Sequence, residues 1–296
     1  MLTSFEQIRN QAASATKSRL VVADAAGESV IDALAQAAEM GIIEPILVGD
    51  EGKIAPLVDD MNLSGARIIH ETDPVGIGKK CISLIRDGEG DMLMKGKLAT
   101  PILMKAVLDK RNGLRKGKLL SHVAVVEVKG YPKLMAMTDG GIVILPDLSE
   151  KATLIRNATA VANAFGADVP KVACIAAIEK ISEKQPETIH AVQLVKMAER
   201  GQLGKVVVEG PIAMDVLLSH EAAKVKGIQS DMTLDADIVL SPNIAVCNIF
   251  VKGLIYLAKA KVAGVVMGAT CPIVLLSRAD TAEVKLDSIA LASIIK

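Results

Sequence analysis

A chain of 296 residues is too long for one small core and suits two α/β domains of ordinary size. Its 34 Lys and Arg are balanced by 34 Asp and Glu. With no Trp, two Tyr and three Phe, it offers nucleic acid neither a basic surface nor stacking rings. Hydrophobic residues make up 51% and mean hydropathy is +0.39, which points to strands buried on both faces under helices. The longest apolar stretch, 262–276, is broken by Gly264, Gly268, Thr270 and Pro272 and falls short of the roughly 20 residues a membrane span needs.

The first residues, MLTSFEQIRN, carry Glu6 and Arg9 and show no apolar core followed by a cleavage pattern, so a cytoplasmic protein is expected. Strand-like runs at 20–23, 45–49, 66–70 and 92–94 then alternate with helical patterns such as 28–40 and 101–110. Segments 121–128 and 133–138 stand back to back around Lys129-Gly130-Tyr131-Pro132 and read as a hairpin. Strands at 172–176, 206–209, 238–241 and 263–267 follow, with helices expected at 150–165, 187–200, 211–226 and 248–261. The alternation predicts a doubly wound α/β fold, with the domain change placed near the hairpin.

Cys81, Cys174, Cys247 and Cys271 form no CxxC pair and read as buried thiols of a reducing compartment. His220-Glu221 begins like HExxH, but Lys224 stands where the second histidine belongs, and no protein-bound metal is expected. Neither GxGxxG nor GxxxxGK[ST] occurs, which removes the usual dinucleotide and nucleoside triphosphate loops.

The chemistry-bearing residues gather at strand-to-helix junctions, where open α/β sheets place their ligands. Val274, Leu275 and Leu276 read as a buried strand; Asp280 and Glu283 have capping-box spacing; Val284, Leu286, Ile289 and Ile294 can form a helix's apolar face. Ser277 and Arg278 thus fall between strand end and helix start, where unpaired N–H groups and an arginine fork favour phosphate or carboxylate. Lys95 and Lys97 flank Gly96 ahead of Thr100-Pro101, read as cap and first-turn proline, and are a second phosphate candidate. Asp139 ends a strand before two glycines as either a turn former or a site carboxylate. Asn248 reads as a helix cap or as an amide donor to a ligand.

Taken together, LMKGKLATPILMKAVLDK at 93–110, GLRKGKLLSHVAVVEV at 113–128, TDGGIVILPDL at 138–148, EGPIAMD at 209–215, DADIVLSPNIAVCN at 235–248 and SRADTAEVKLDSIALA at 277–292 carry a resemblance. The chain resembles the phosphate acetyl/butyryl transferase family, and most closely its phosphate butyryltransferase branch. The resemblance implies two α/β/α domains of the isocitrate/isopropylmalate dehydrogenase type with an interdomain cleft, the first formed by 1–132 with 278–296 and the second by 133–277. It also implies a homodimer or larger homo-oligomer with no tightly bound cofactor and no metal.

The implied reaction is butyryl-CoA, or a related short or branched acyl-CoA, plus phosphate giving acyl phosphate and coenzyme A, by direct attack in the cleft. The family's serine-arginine pair maps onto Ser277 and Arg278, and Lys95, Lys97, Thr100, Asp139 and Asn248 become substrate-binding candidates. The family's downstream aspartate is replaced by Val284, leaving Asp280 or Glu283 as the carboxylate base. A second departure is Ala245-Val246-Cys247, where the family runs Glu-Ala-Gly before the asparagine. Two other readings stand beside this one. A metal-dependent hydroxy-acid dehydrogenase of the same fold would gather aspartates around a divalent ion, and a catalytically weakened acyl-CoA or acyl-phosphate binding protein would fit the altered 245–247 segment.

Overall fold

The computed structural model describes residues 1–117, 119–277 and 280–295. Its elements in chain order are α1 (Phe5–Ser14), β1 (Ser18–Ala23), α2 (Glu28–Glu39), β2 (Ile43–Gly49), α3 (Glu51–Asp60), β3 (Arg67–His70), α4 (Pro74–Arg86), β4 (Met92–Lys95) and α5 (Thr100–Val107). After these come β5 (Ser121–Glu127), β6 (Met135–Thr138), α6 (Leu148–Ala164), β7 (Lys171–Ile175), α7 (Pro186–Glu199), β8 (Val207–Ile212), α8 (Met214–Leu218), α9 (His220–Lys226), β9 (Ile238–Leu240), α10 (Ile244–Tyr256), β10 (Lys261–Met267), β11 (Ile273–Val274) and α11 (Ala282–Ile294).

The chain groups into two compact units, one of Glu6–Leu120 with Ala263–Lys296 and one of Met1–Phe5 with Ser121–Val262. These bounds differ from 132 and 277 for a topological reason. β5 and β6 pair antiparallel, so the hairpin belongs whole to one sheet, while Ile273 pairs with Val266 and with Leu93, so the chain has rejoined the first unit before β11.

In the unit built on 6–120 and 263–296, the strands run β3-β2-β1-β4-β11-β10. All neighbours are parallel except β11 with β10. The chain leaves β1 toward β2 on one side, while β4 lies on the other. The carboxyl ends of β1 and β4 therefore flank a topological switch point, where a crevice opens between diverging connections. In the other unit the order is β5-β6-β9-β7-β8, with only the hairpin antiparallel.

Periodicity explains most helices. α2 buries Val30, Ile31, Ala33, Leu34 and Ala37, an i, i+1, i+3, i+4, i+7 stripe. α11 departs from the expected one-sided face, because Lys285, Asp287 and Ser288 are buried along with Leu286, Ile289, Leu291 and Ile294. Its buried polar groups are met. Arg9 pairs with Asp287, while Ser288 Oγ donates to Val284 O at 2.7 Å and accepts from Gly264 N at 3.0 Å. Each large apolar side chain of α11 contributes about 1.5–3 kcal/mol by leaving water.

Several expected bounds change. The helix expected at 211–226 is instead the end of β8, held by the Ile175–Ile212 pairing, followed by α8 and α9, with Ser219 capping Ala222 N. α10 starts ahead of Asn248, because Asn243 Oδ1 accepts from Val246 N at 3.1 Å and caps it. The strand expected through Leu276 ends at Val274, leaving Leu275 and Leu276 half-buried outside it. Helices α1, α3 and α4 were not among the candidates. Asp50 and Asp73 cap α3 and α4 by accepting from Gly52 N and Gly76 N.

Candidate active site

At the switch point the chain leaves β1 through Asp24, in the left-handed region at φ 60, and enters α2 through Ala25, Ala26 and Gly27. Gly27 is the α2 cap and makes no side-chain cap bond. The backbone N–H groups of Glu28 and Ser29 lie in the first turn, which has no intrahelical acceptors for them. Beside this turn β4 ends in Lys95-Gly96-Lys97. Gly96 N donates to Ala23 O at 2.9 Å and Lys97 N to Asp24 O at 2.7 Å, so the two strand ends are laced together. A Cβ on Gly96 would stand 2.2 Å from Asp24 O, so this close approach admits only glycine.

These segments and the end of the chain line a pocket of about 620 Å³. Its charged and hydroxyl groups are Lys95, Lys97, Lys285, Ser277, Ser29 and Glu28. Lys95 is only 8% exposed and its Nζ donates to Gly96 O at 3.1 Å, while Lys97 is exposed. Among the described residues the pocket sets three ammonium groups and a helix start against one carboxylate, an arrangement whose electrostatics favour an anion.

Ser277 enters the pocket from a tight turn. Its N–H donates to Asp280 Oδ2 at 2.7 Å, and Asp280 N donates back to Ser277 O at 3.2 Å. The expected capping box does not form. Thr281, not Asp280, caps α11 by accepting from Val284 N at 3.3 Å, so Glu283 occupies the second helical position and is exposed. Asp280 ties the turn instead, since the neighbouring threonine already supplies the cap. Lys285, 5% exposed, donates from Nζ to Asp280 O. Burial holds its ammonium below the usual lysine range, and Asp280 opposes that shift.

Of the sequence candidates, Lys95, Lys97 and Ser277 share this pocket. Arg278, next in the chain to Ser277, lies outside the described residues. Thr100 is not the cap of α5; Ala99 is, and Thr100 is an exposed first-turn residue that does not line the pocket. Asp139 and Asn248 come together in the other unit. Asp139, 2% exposed, accepts from His122 N at 2.7 Å, Gly141 N at 2.7 Å and Ile142 N at 2.8 Å. Asn248 is no cap either, because it sits within α10 and its Nδ2 donates to Gly140 O at 2.9 Å, pinning the turn that Asp139 organises. Burial pushes the adjoining Cys247 thiol up to about 12, which removes it as a nucleophile at neutral pH. Sequence reasoning missed Lys285 and the Gly27–Ser29 turn. A lysine inside the apolar 284–294 pattern was the available signal.

Residues 73–293, about three quarters of the chain, match the model of the family described as Phosphate acetyl/butaryl transferase. The chain belongs to this family. It is 39% identical over 297 residues to the phosphate butyryltransferase of Clostridium acetobutylicum, spanning 100% of this chain and 99% of that protein. With the phosphate acetyltransferase of Thermotoga maritima the identity is 41% over 278 residues, 93% of this chain and 94% of that one. Among solved structures, a branched-chain phosphotransacylase from Enterococcus faecalis V583 superposes with a TM-score of 0.84 at 28% identity, covering 94% of this chain and 98% of that chain.

This transferase is accordingly a phosphate acyltransferase of two-domain α/β architecture, and the dehydrogenase reading is not favoured. Both departures from the family pattern fall in first helical turns. Val284 is half-buried near the start of α11, and Ala245-Val246-Cys247 opens α10 with Cys247 buried. Among the described residues no helix is long and apolar enough to cross a membrane, and no group of three or more His, Cys, Asp or Glu is placed to hold a metal ion.

Proposed function

We propose that this transferase converts butyryl-CoA, or a related short or branched acyl-CoA, and phosphate into the acyl phosphate and coenzyme A, with no tightly bound cofactor. The observation that carries the reading is the convergence of Lys95, Lys97, Lys285 and Ser277 with the α2 start on one pocket at the switch point. An oxygen of hydrogen phosphate attacks the thioester carbonyl, the C–S bond breaks with its electron pair going to sulfur, and the phosphate's proton ends on the coenzyme A thiol. Lys95 and Lys97 neutralise the attacking anion. Arg278 clamps it, and Ser277 donates a hydrogen bond to the developing oxyanion or the leaving sulfur. Asp280 or Glu283 relays the proton.

Phosphate-dependent release of free thiol from acetyl- through hexanoyl-CoA and branched esters tests the reading. Turnover is expected to peak at four-carbon or branched acyl groups and to persist in chelator without added nucleotide. Activity lost to chelator and restored by magnesium would transfer the protein to the dehydrogenase class, and tight acyl-CoA binding without turnover would make it a binding protein.

The same reading makes it a cytosolic homodimer. Its four cysteines are all free and buried, as suits a reducing compartment. On α10 the side chains of Val246, Ile249 and Tyr256 are exposed, as is Leu257 just after it, and the exposed Ile144 and Leu145 lie at the helix start, where Ile144 O accepts from Ile244 N. An apolar face of this kind suits a two-fold contact with a second copy. Ile249→Glu combined with Leu257→Glu is expected to reduce the sedimenting mass to one chain. A wild-type protein already sedimenting as one chain would remove the assignment.

A further inference from the structure

Burying a lysine ammonium is unfavourable unless its donors are used, and methionine fills nearly the same space without that penalty. Lys285 is nevertheless 5% exposed within α11. Its companions there have structural partners, Asp287 with Arg9 and Ser288 with Gly264 and Val284. Lys285 is different in kind. Its Nζ runs back toward the amino end of the helix, donates to Asp280 O and forms part of the pocket wall. Asp280 is in turn bonded through its carboxylate to Ser277 N and through its own N–H to Ser277 O.

A continuous set of hydrogen bonds thus runs from the buried ammonium through Asp280 to the backbone of Ser277. We infer that Lys285 is a positioning residue for the phosphate acyl transfer, fixing the Ser277–Asp280 turn so that Ser277 is presented to the pocket. The inference rests on the reading of Ser277 as part of the active pocket. It also gives Asp280 a role other than base: its carboxylate and carbonyl are the middle of the brace. A turn braced on a helix by a charged donor keeps its geometry when substrate arrives, and displacement of a reacting group by about 1 Å can cost about 10²-fold in rate.

The test is a double-mutant cycle of Lys285→Met and Ser277→Ala, read by phosphate-dependent thiol release from butyryl-CoA at saturating substrates, with thermal midpoints recorded. Lys285→Met is expected to lower kcat about tenfold to a hundredfold while its thermal midpoint holds or rises, because an apolar residue replaces a buried charge. Added to Ser277→Ala, it is expected to lower kcat no further. Lys285→Arg, which keeps a cationic donor, is expected to recover part of the loss. Multiplicative losses in the double variant, or equal losses in the Met and Arg variants, would overturn positioning in favour of a general structural role. Full kcat in Lys285→Met beside an impaired Ser277→Ala would reject Lys285 alone and leave the pocket standing. Unimpaired Ser277→Ala would reject the pocket reading and this inference with it.

Discussion

Arg278→Ala is expected to reduce phosphate-dependent thiol release by about 10²–10³-fold at saturating acyl-CoA while leaving the thermal midpoint close to wild type. The argument begins with position. Ser277 lines a pocket that also carries Lys95, Lys97 and Lys285, and the proposed function gives the next residue in the chain, Arg278, the task of clamping the phosphate. The lysines act as point charges, whereas a guanidinium presents a planar fork that can hold two phosphate oxygens at once and fix the line of attack. If the same fork meets the carbonyl oxygen as it becomes an oxyanion, its removal forfeits about 3–4 kcal/mol of transition-state stabilisation, the scale of one preorganised donor. Arg278→Lys separates charge from geometry. It is expected to raise the phosphate KM and depress kcat, since charge survives and the bidentate fork does not. Near-normal turnover of Arg278→Ala at saturating phosphate would reduce the residue to a structural ion pair and move the active site elsewhere.

What could be read from the sequence follows the range of the forces involved. β1, β2 and β4 carry continuous apolar runs because they are covered on both faces, and such runs are visible locally. Pro211 opened the helix expected at 211–226. Its fate was settled instead by strand pairing between Ile175 and Ile212, which no local pattern encodes. Caps were misassigned by one residue at two helices: Asp280 and Thr281 are adjacent residues of capping type that satisfy the same spacing rule, while Thr100 has the capping side chain that Ala99, at the actual cap position, lacks. The pocket itself was half legible. Lys95-Gly96-Lys97 and Ser277 were each found as junctions, but their meeting depends on β11 pairing beside β4, Ile273 opposite Leu93. Lys285 was missed because a lysine in a helix is ordinarily a solvated residue, and only the packing of α11 makes it a buried one.

Gly96→Ala is the second large effect, and it acts through backbone. The added methyl would stand 2.2 Å from Asp24 O, 2.8 Å from Asp24 C and 2.9 Å from Ala23 O, none of which is a flexible side-chain end. Relief requires the ends of β1 and β4 to part, which breaks the bonds from Gly96 N to Ala23 O and from Lys97 N to Asp24 O. Overpacking costs about 1–3 kcal/mol and each lost hydrogen bond about 1 kcal/mol, so a loss of roughly 3–5 kcal/mol is expected. For a unit of this size that lowers the thermal midpoint by roughly 10 °C. The same parting moves Lys95 and Lys97 relative to the α2 start, so the phosphate KM is expected to rise even below the unfolding transition. Gly52→Ala, in the first turn of α3, is the matched control: its Cβ would meet only Asp50 Oδ1 at an ordinary 3.4 Å, and alanine is the better helix former. It is expected to hold or raise the midpoint with unchanged kinetics. A Gly96→Ala protein with wild-type midpoint and phosphate KM would show that the two strand ends are not laced as described, and the anion pocket built on that lacing would fall with it.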